Sequence, residues 1–190
     1  MKKLFFLLSA GLFLFACNNS NKNKTGNDNL SGADTSGTAK TGISNMDRDF
    51  ARKASMANMA EAEAGTTAQR RGNSTAVKEY GKMMEDHHTA AQSELKGLAN
   101  RHQLQVPDML DSTHKINSQK LNGLQGKAFD EAYIQMMVKD HREAISLFEN
   151  EANNGGHQDI KDFASRTLPK LRIHLQKADS IATALKIKTP

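Results

Sequence analysis

Beyond residue 45, apolar residues recur at steps of three and four, the period of one face of an α-helix. The first such stripe is Phe50, Ala54, Ala57, Glu61, Ala64 and Ala68, and Gly72-Asn73 ends it. Ser74 is placed to cap a second helix with the stripe Val77, Tyr80, Met84, His87, Ala91, Leu95 and Leu98, which fades near Arg101 and His102 ahead of Pro107. A third runs from about Lys127 to Asn153, with Phe129, Tyr133, Met137, His141, Ala144 and Phe148 inward, and stops at Asn154-Gly155-Gly156. The fourth opens near Gln158 and carries Ile160, Phe163, Thr167, Leu171, His174, Ala178, Ile181 and Leu185. Pro169 is expected to kink or divide it, because the ring removes a backbone donor. Short links make each neighbouring pair antiparallel. The longer stretch from Gln103 to Gly126 is free to cross the assembly and predicts a short helix around Ser112 to Leu121. This predicts an all-α fold, a four-helix bundle with one long crossover between helices two and three.

Each stripe contains one residue able to bind a metal ion or a proton: Glu61, His87, His141 and His174. Leaving each unpaired in an apolar interior would cost about 1 to 3 kcal/mol apiece, so mutual hydrogen bonding or a shared ion is expected. From Gly72, Glu61 lies eleven residues back and His87 fifteen forward; from Gly155, His141 lies fourteen back and His174 nineteen forward. At ~1.5 Å per residue, partners within a hairpin differ in depth by roughly 6 to 8 Å, about the reach of two long side chains. Helices two and three also share a pattern. Tyr80-x-x-Met83-Met84 leads to Asp86-His87-His88 and Ala91, and Tyr133-x-x-Met136-Met137 leads to Asp140-His141 and Ala144. Aligning the tyrosines pairs His88 with His141, whereas the apolar stripe favours His87; both remain open. Imidazole and carboxylate suit Zn, Fe or Cu, and Asp86, Asp140 and Glu63 are placed to fix ring tautomers from a second layer. Met83 and Met137 each stand four residues before a histidine, a soft pairing that would favour reduced copper. Met also simply fills core gaps beside small Ala residues.

Ahead of the helices, Lys2 and Lys3 precede an apolar run from Leu4 to Ala16, 13 residues that are too few for an ordinary transmembrane helix and read as a secretory signal. The run ends in Leu14-Phe15-Ala16-Cys17, which resembles a bacterial lipobox with Cys17 as the lipidated residue; Asn18 follows rather than the Asp of inner-membrane retention signals. Cys17 is the only cysteine, so no disulfide can form within the chain. The expected anchor is in the outer membrane, facing the periplasm. Residues 18 to 45 are rich in Asn, Ser, Thr, Gly and Lys, with Leu30 and Ile43 the only large aliphatics, and read as a disordered tether. The domain reading is a signal peptide over 1–16, a lipidated tether over 17–45 and a helical bundle over 46–190. The formal charge of +5 falls to +3 without Lys2 and Lys3. With no basic stripe to neutralise phosphates, nucleic-acid binding is not expected.

The chain resembles a family of bacterial exported proteins labelled predicted outer membrane protein, domain-of-unknown-function family 4142. The resemblance rests on Asp49-Phe50, Met59-Ala60-Glu61-Ala62-Glu63, Met84-Glu85-Asp86-His87, Phe129-Asp130-x-x-Tyr133, Met137-x-x-Asp140-His141-x-x-Ala144-Ile145-x-Leu147-Phe148 and Thr167-Leu168-Pro169-x-Leu171-x-x-His174. It implies a ferritin-like fold and an envelope location, and it brings no established activity. The third-helix segment is also similar to a second exported family whose helix carries paired histidines before Ala-Ile. The ferritin-like di-iron pattern needs Glu-x-x-His on two helices. Here Glu85-Asp-His-His88 is the only instance, which argues against a di-iron oxidase or a mineral core. Three functional classes fit the residues: a module holding one transition-metal ion or small ligand, a structural or interaction bundle whose polar centre fixes helix register, and a redox metalloenzyme. Protein partners are not legible in the sequence.

Overall fold

A computed structural model describes residues 42–190, and the signal, Cys17 and most of the tether lie outside the described residues. Five helices follow in order: α1 (Asn45–Arg71), α2 (Thr75–Arg101), α3 (Ser112–Asn122), α4 (Gly126–Asn154) and α5 (Gln158–Leu185). Among the described residues there is no strand, only an isolated bridge between Gly72 and Gly126. The fold class is all-helical. α1 packs along α2 and α4 along α5, α1 also meets α4, and α2 meets α5. The crossover helix α3 lies over α1 and α4.

The element ends follow from local chemistry. Ser44 caps α1 in a reciprocal box with Asp47, Ser74 caps α2, and Asp111 caps α3 through the His114 N–H. Two buried aspartates then tie the hairpins together. Asp130 accepts from the backbone N–H groups of Asn73 (2.8 Å) and Ser74 (2.9 Å), which fastens the α1–α2 turn to the start of α4. Asp47 accepts from Gly156 (2.8 Å) and His157 (3.2 Å), which fastens the α4–α5 turn to the start of α1. Each hairpin therefore closes the other.

The α1–α2 contact is set by glycine. A Cβ on Gly65 would stand 2.5 Å from the Gly81 carbonyl oxygen, and one on Gly81 would stand 2.7 Å from Ala68 Cβ. This close approach turns Gly81, Met84, His88, Gln92 and Leu95 inward, so the buried stripe of α2 advances by four at His88 and Gln92. The sequence stripe through His87 and Ala91 is therefore corrected by one residue: His87 is exposed and Ala91 only partly buried. Gln92 escapes a hydropathy reading because its amide nitrogen finds a buried polar partner. Its amide donates to Ser55 Oγ at 2.8 Å, and that hydroxyl donates to the Pro107 carbonyl at 3.0 Å. In α5, Leu168 is buried where the stripe placed Thr167, and Leu185 is exposed. Pro169 does not divide α5. The bond it forfeits would have gone to the Ser165 carbonyl on an exposed face, where water can replace it.

The apolar interior falls into two clusters. One gathers Phe50, Leu95, Leu98, Phe148, Ile160, Phe163 and Leu171; the other gathers Val77, Tyr80, Met84, Phe129, Tyr133, Met137, Ala178 and Ile181. Neither cluster includes Glu61, His88, His141 or His174, although all four are buried.

Candidate metal centre

Four of the five helices each contribute a buried side chain to one polar layer: Glu61 from α1, His88 from α2, His141 from α4 and His174 from α5. None is more than 3% exposed. Glu61 Oε2 lies 3.1 Å from His88 Nε2 and 3.3 Å from His141 Nε2, and His141 Nε2 lies 3.2 Å from His174 Nδ1. Tetrahedral zinc with bonds of about 2.0–2.1 Å holds neighbouring ligand atoms about 3.3–3.4 Å apart. Three edges already have that length. Ligating nitrogens of the three histidines all fall within 4.8 Å of one another, and Glu61 joins them through His88 and His141.

The outward nitrogens set the tautomers. His141 Nδ1 donates to the Met137 carbonyl (2.9 Å), which leaves its Nε2 as a bare lone pair facing inward. His88 Nδ1 faces Asn58 Oδ1 at 3.0 Å, so its Nε2 is bare as well. His174 sits between His141 and His87, whose Nδ1 is 2.8 Å from His174 Nε2. Donating Nε2–H outward to His87 turns His174 Nδ1 inward as the third lone pair. Outward hydrogen bonds of this kind orient metal-ligating histidines. Correspondingly, Glu61 Oε2 and His88 Nε2 are buried and close, yet neither has a hydrogen bond.

The electrostatics leave the centre short of positive charge. Burial holds His88 well below the ordinary imidazole range, with His141, His174 and His87 adding to the effect. Burial lowers His141 to about 4, partly opposed by its bond to Met137. Burial, then the neighbouring His141 and His87, lowers His174 to about 3. All three rings are thus neutral near pH 7 and available as ligands. Burial pushes Glu61 well above the usual carboxylate range, reinforced by the charge of Asp140. A bound cation would reverse that preference and release the Glu61 proton.

The other sequence candidates lie elsewhere. His87 is exposed and stacks on His174 with ring centroids 5.0 Å apart, outside the four inward groups. The expected supporting carboxylates do not touch the rings. Glu63 is exposed and accepts from the Ser118 hydroxyl, Asp86 pairs with Lys82 at 2.9 Å, and Asp140 pairs with Lys139 at 3.7 Å. Glu63 and Asp86 fall off the buried arcs of their helices, Asp140 lines a cavity beside Glu61, and Asn58, the Met137 carbonyl and His87 take the supporting places. Asn58 was legible only as the residue three before Glu61 on the same face. Met84 and Met137 belong to the apolar cluster, as core-filling methionines do. A cavity of about 40 Å³ beneath α3 reaches Glu61 between His114, Ser118, Met137 and Asp140, room for one or two waters.

The all-helical fold has counterparts among solved bacterial protein structures. The crystal structure of a DUF305 protein from Streptomyces coelicolor, labelled as secreted, superposes with a TM-score of 0.66 at 16% identity, over 80% of this chain and 99% of that one. A DUF305 fragment from Deinococcus radiodurans gives 0.67 at 8% identity, over 75% and 99%. At these identities the likeness is one of fold. By sequence, the chain belongs to the family described as Domain of unknown function (DUF4142), whose pattern spans residues 32–181. No functionally curated protein matches it.

Proposed function

We propose that this protein is an exported, lipid-anchored envelope protein whose ferritin-like four-helix bundle, with its single crossover carrying α3, holds one divalent transition-metal ion between Glu61, His88, His141 and His174. The observation that carries the proposal is the convergence of one carboxylate oxygen and three imidazole nitrogens from four separate helices, linked by three contacts of 3.1, 3.3 and 3.2 Å. Neutral imidazoles and one carboxylate suit Zn, Fe or Cu, and with four protein ligands the role is that of a holder of the ion, not a catalyst. Binding fastens all four long helices at one height. In this reading residues 1–16 are the export signal, Cys17 carries the lipid, and the segment to about residue 44 tethers the bundle to the outer membrane on its periplasmic side. Export fits the secreted label of the Streptomyces coelicolor relative in fold.

The test is equilibrium dialysis of full-length, tag-free protein against Zn(II), with Glu61→Gln and His141→Asn variants beside it. The core site predicts one tightly held equivalent that both variants lose. Retention of the tight equivalent by both variants, or no zinc bound at all, would overturn it. A second reading draws on Asn58, whose amide nitrogen has no partner. With that amide turned over, His88 would donate Nε2–H to Glu61, and the layer would be a hydrogen-bonded network that only fixes helix register. Unchanged melting on adding zinc would favour it. Loss of membrane association in a Cys17→Ser variant tests the anchor separately.

A further inference from the structure

We propose a second, surface-accessible transition-metal site at one end of the helical domain, formed by His102, His157 and Asp159. The three residues come from two helix ends far apart in sequence, and their candidate ligand atoms all lie within 4.8 Å of one another. His102 Nε2 is 2.8 Å from Asp159 Oδ2, and the His102 and His157 rings lie 4.2 Å apart between centroids. The His102 ring meets the Asp159 carboxylate and the His157 ring meets the Asp159 N–H, so both imidazoles gather on one residue. Unlike the core layer, these groups are only partly covered: both histidines are half-buried and Asp159 is exposed.

Both histidines are held in place before any ligand arrives. His102 closes α2, where its N–H bonds to the Leu98 carbonyl, Gln103 turns left-handed (φ 53°), and the Leu104 N–H returns to the Ala99 carbonyl at 2.8 Å. Leu104 is buried behind that turn, so the His102 backbone cannot swing away. His157 is the N-cap of α5, its Nδ1 accepting the Asp159 N–H at 3.3 Å. That long bond is easily exchanged for a metal bond. Pre-placed ligands lose little freedom on binding.

Two imidazoles and one carboxylate suit a divalent first-row ion such as Zn(II), Ni(II) or Cu(II). Three protein ligands leave positions for water, which makes this an open, exchangeable site. Bound there, an ion joins the C-terminal end of α2 to the first turn of α5. From His88 to His102 is fourteen residues of α2, or about 21 Å at 1.5 Å per residue, so the two sites would fill independently.

The test is Zn(II) titration of the full-length, tag-free protein, wild type against His102→Asn, His157→Asn and His88→Asn. Because Asn also serves as an N-cap, His157→Asn keeps α5 started. The expected result is a zinc equivalent at least tenfold weaker than the core one, weakened at least a further tenfold by either His102→Asn or His157→Asn and unaffected by His88→Asn. The proposal is overturned if His102→Asn and His157→Asn leave all bound zinc in place, or if the wild type binds no zinc that these variants remove. If the core site fails instead, the single remaining equivalent responds to His102 and His157 and not to His88, which separates the two outcomes.

Discussion

Adjacent histidines on one helix give a sharp perturbation, because the apolar stripe points to His87 and the folded chain buries His88. His88 is 3% exposed, sits among groups from all four long helices and has Nδ1 on Asn58, while His87 is exposed and reaches only His174. His88→Ala removes a buried ring, leaves a cavity and strips Glu61 Oε2 of its nearest neighbour. Truncations of that kind cost about 2–4 kcal/mol. For a domain of this size, about 1 kcal/mol moves Tm by roughly 2–4 °C, so His88→Ala should lower Tm by some 5–15 °C. His87→Ala loses one partly exposed hydrogen bond, about 0.5–1.5 kcal/mol at most, and should lower Tm by less than about 5 °C. With zinc the contrast widens. His88→Ala should abolish stabilisation by the ion, whereas His87→Ala, which only supports His174, should weaken affinity by about 10–100-fold. Differential scanning calorimetry of both variants, with and without zinc, provides the readout. Equal losses, or a larger loss for His87→Ala, would refute the register of α2 and the site built on it.

Other outcomes follow from the packing. Asp130→Ala should destabilise by about 1–3 kcal/mol in chemical denaturation, because two partly buried N–H groups of the α1–α2 turn lose their acceptor, and Asp130→Asn should cost less. Gly65→Ala should cost about 1–3 kcal/mol or more, since its Cβ would meet the Gly81 carbonyl oxygen, a backbone atom that cannot step aside. An ordinary stability for Gly65→Ala would show that α1 and α2 are not in close contact. The pH profile has two limbs in the metal-free protein. Burial, helped by Asp47, raises Glu151 to about 8, so its contribution is full below the unfolded value near 4.5 and lost as pH rises through 8. Glu61 acts in the same direction. Stability should therefore fall from pH 6.5 to 8 by up to about 1.4 kcal/mol per unit for each such group, and Glu151→Gln should flatten that limb. On the acid side His88, His141 and His174, all depressed, take up protons more readily when unfolded. Between about pH 6.5 and 4.5 these three outweigh the opposite trend of Glu61 and Glu151 by one proton, so stability should fall as pH drops by up to about 1.4 kcal/mol per unit. A flat profile between pH 4 and 8 would contradict both assignments.

Much of this architecture is legible in residue order alone. The breaks at Gly72-Asn73 and Asn154-Gly155-Gly156, the Ser74 cap and the short helix over the crossover all fall where local turn and capping chemistry puts them. Glu61, His141 and His174 stand out because each interrupts an apolar stripe and is buried there. The register of α2 does not, since it depends on Gly65 and Gly81 meeting across a helix interface and on a buried Gln92 that hydropathy reads as surface. The tandem aspartates Asp47 and Asp130 are invisible for a related reason: their partners are backbone groups of the opposite hairpin. His102 and His157 look solvated when taken singly, and only the meeting of two helix ends makes them neighbours.

The central claim, an ion held by four helices, is tested most directly by X-ray absorption at the zinc edge on full-length protein loaded with one equivalent. The prediction is a first shell of three imidazole nitrogens and one carboxylate oxygen at about 2.0–2.1 Å, and no three-imidazole shell in His141→Asn, which loses the core ion. A shell dominated by water oxygens, or one that His141→Asn leaves unaltered, would contradict the account.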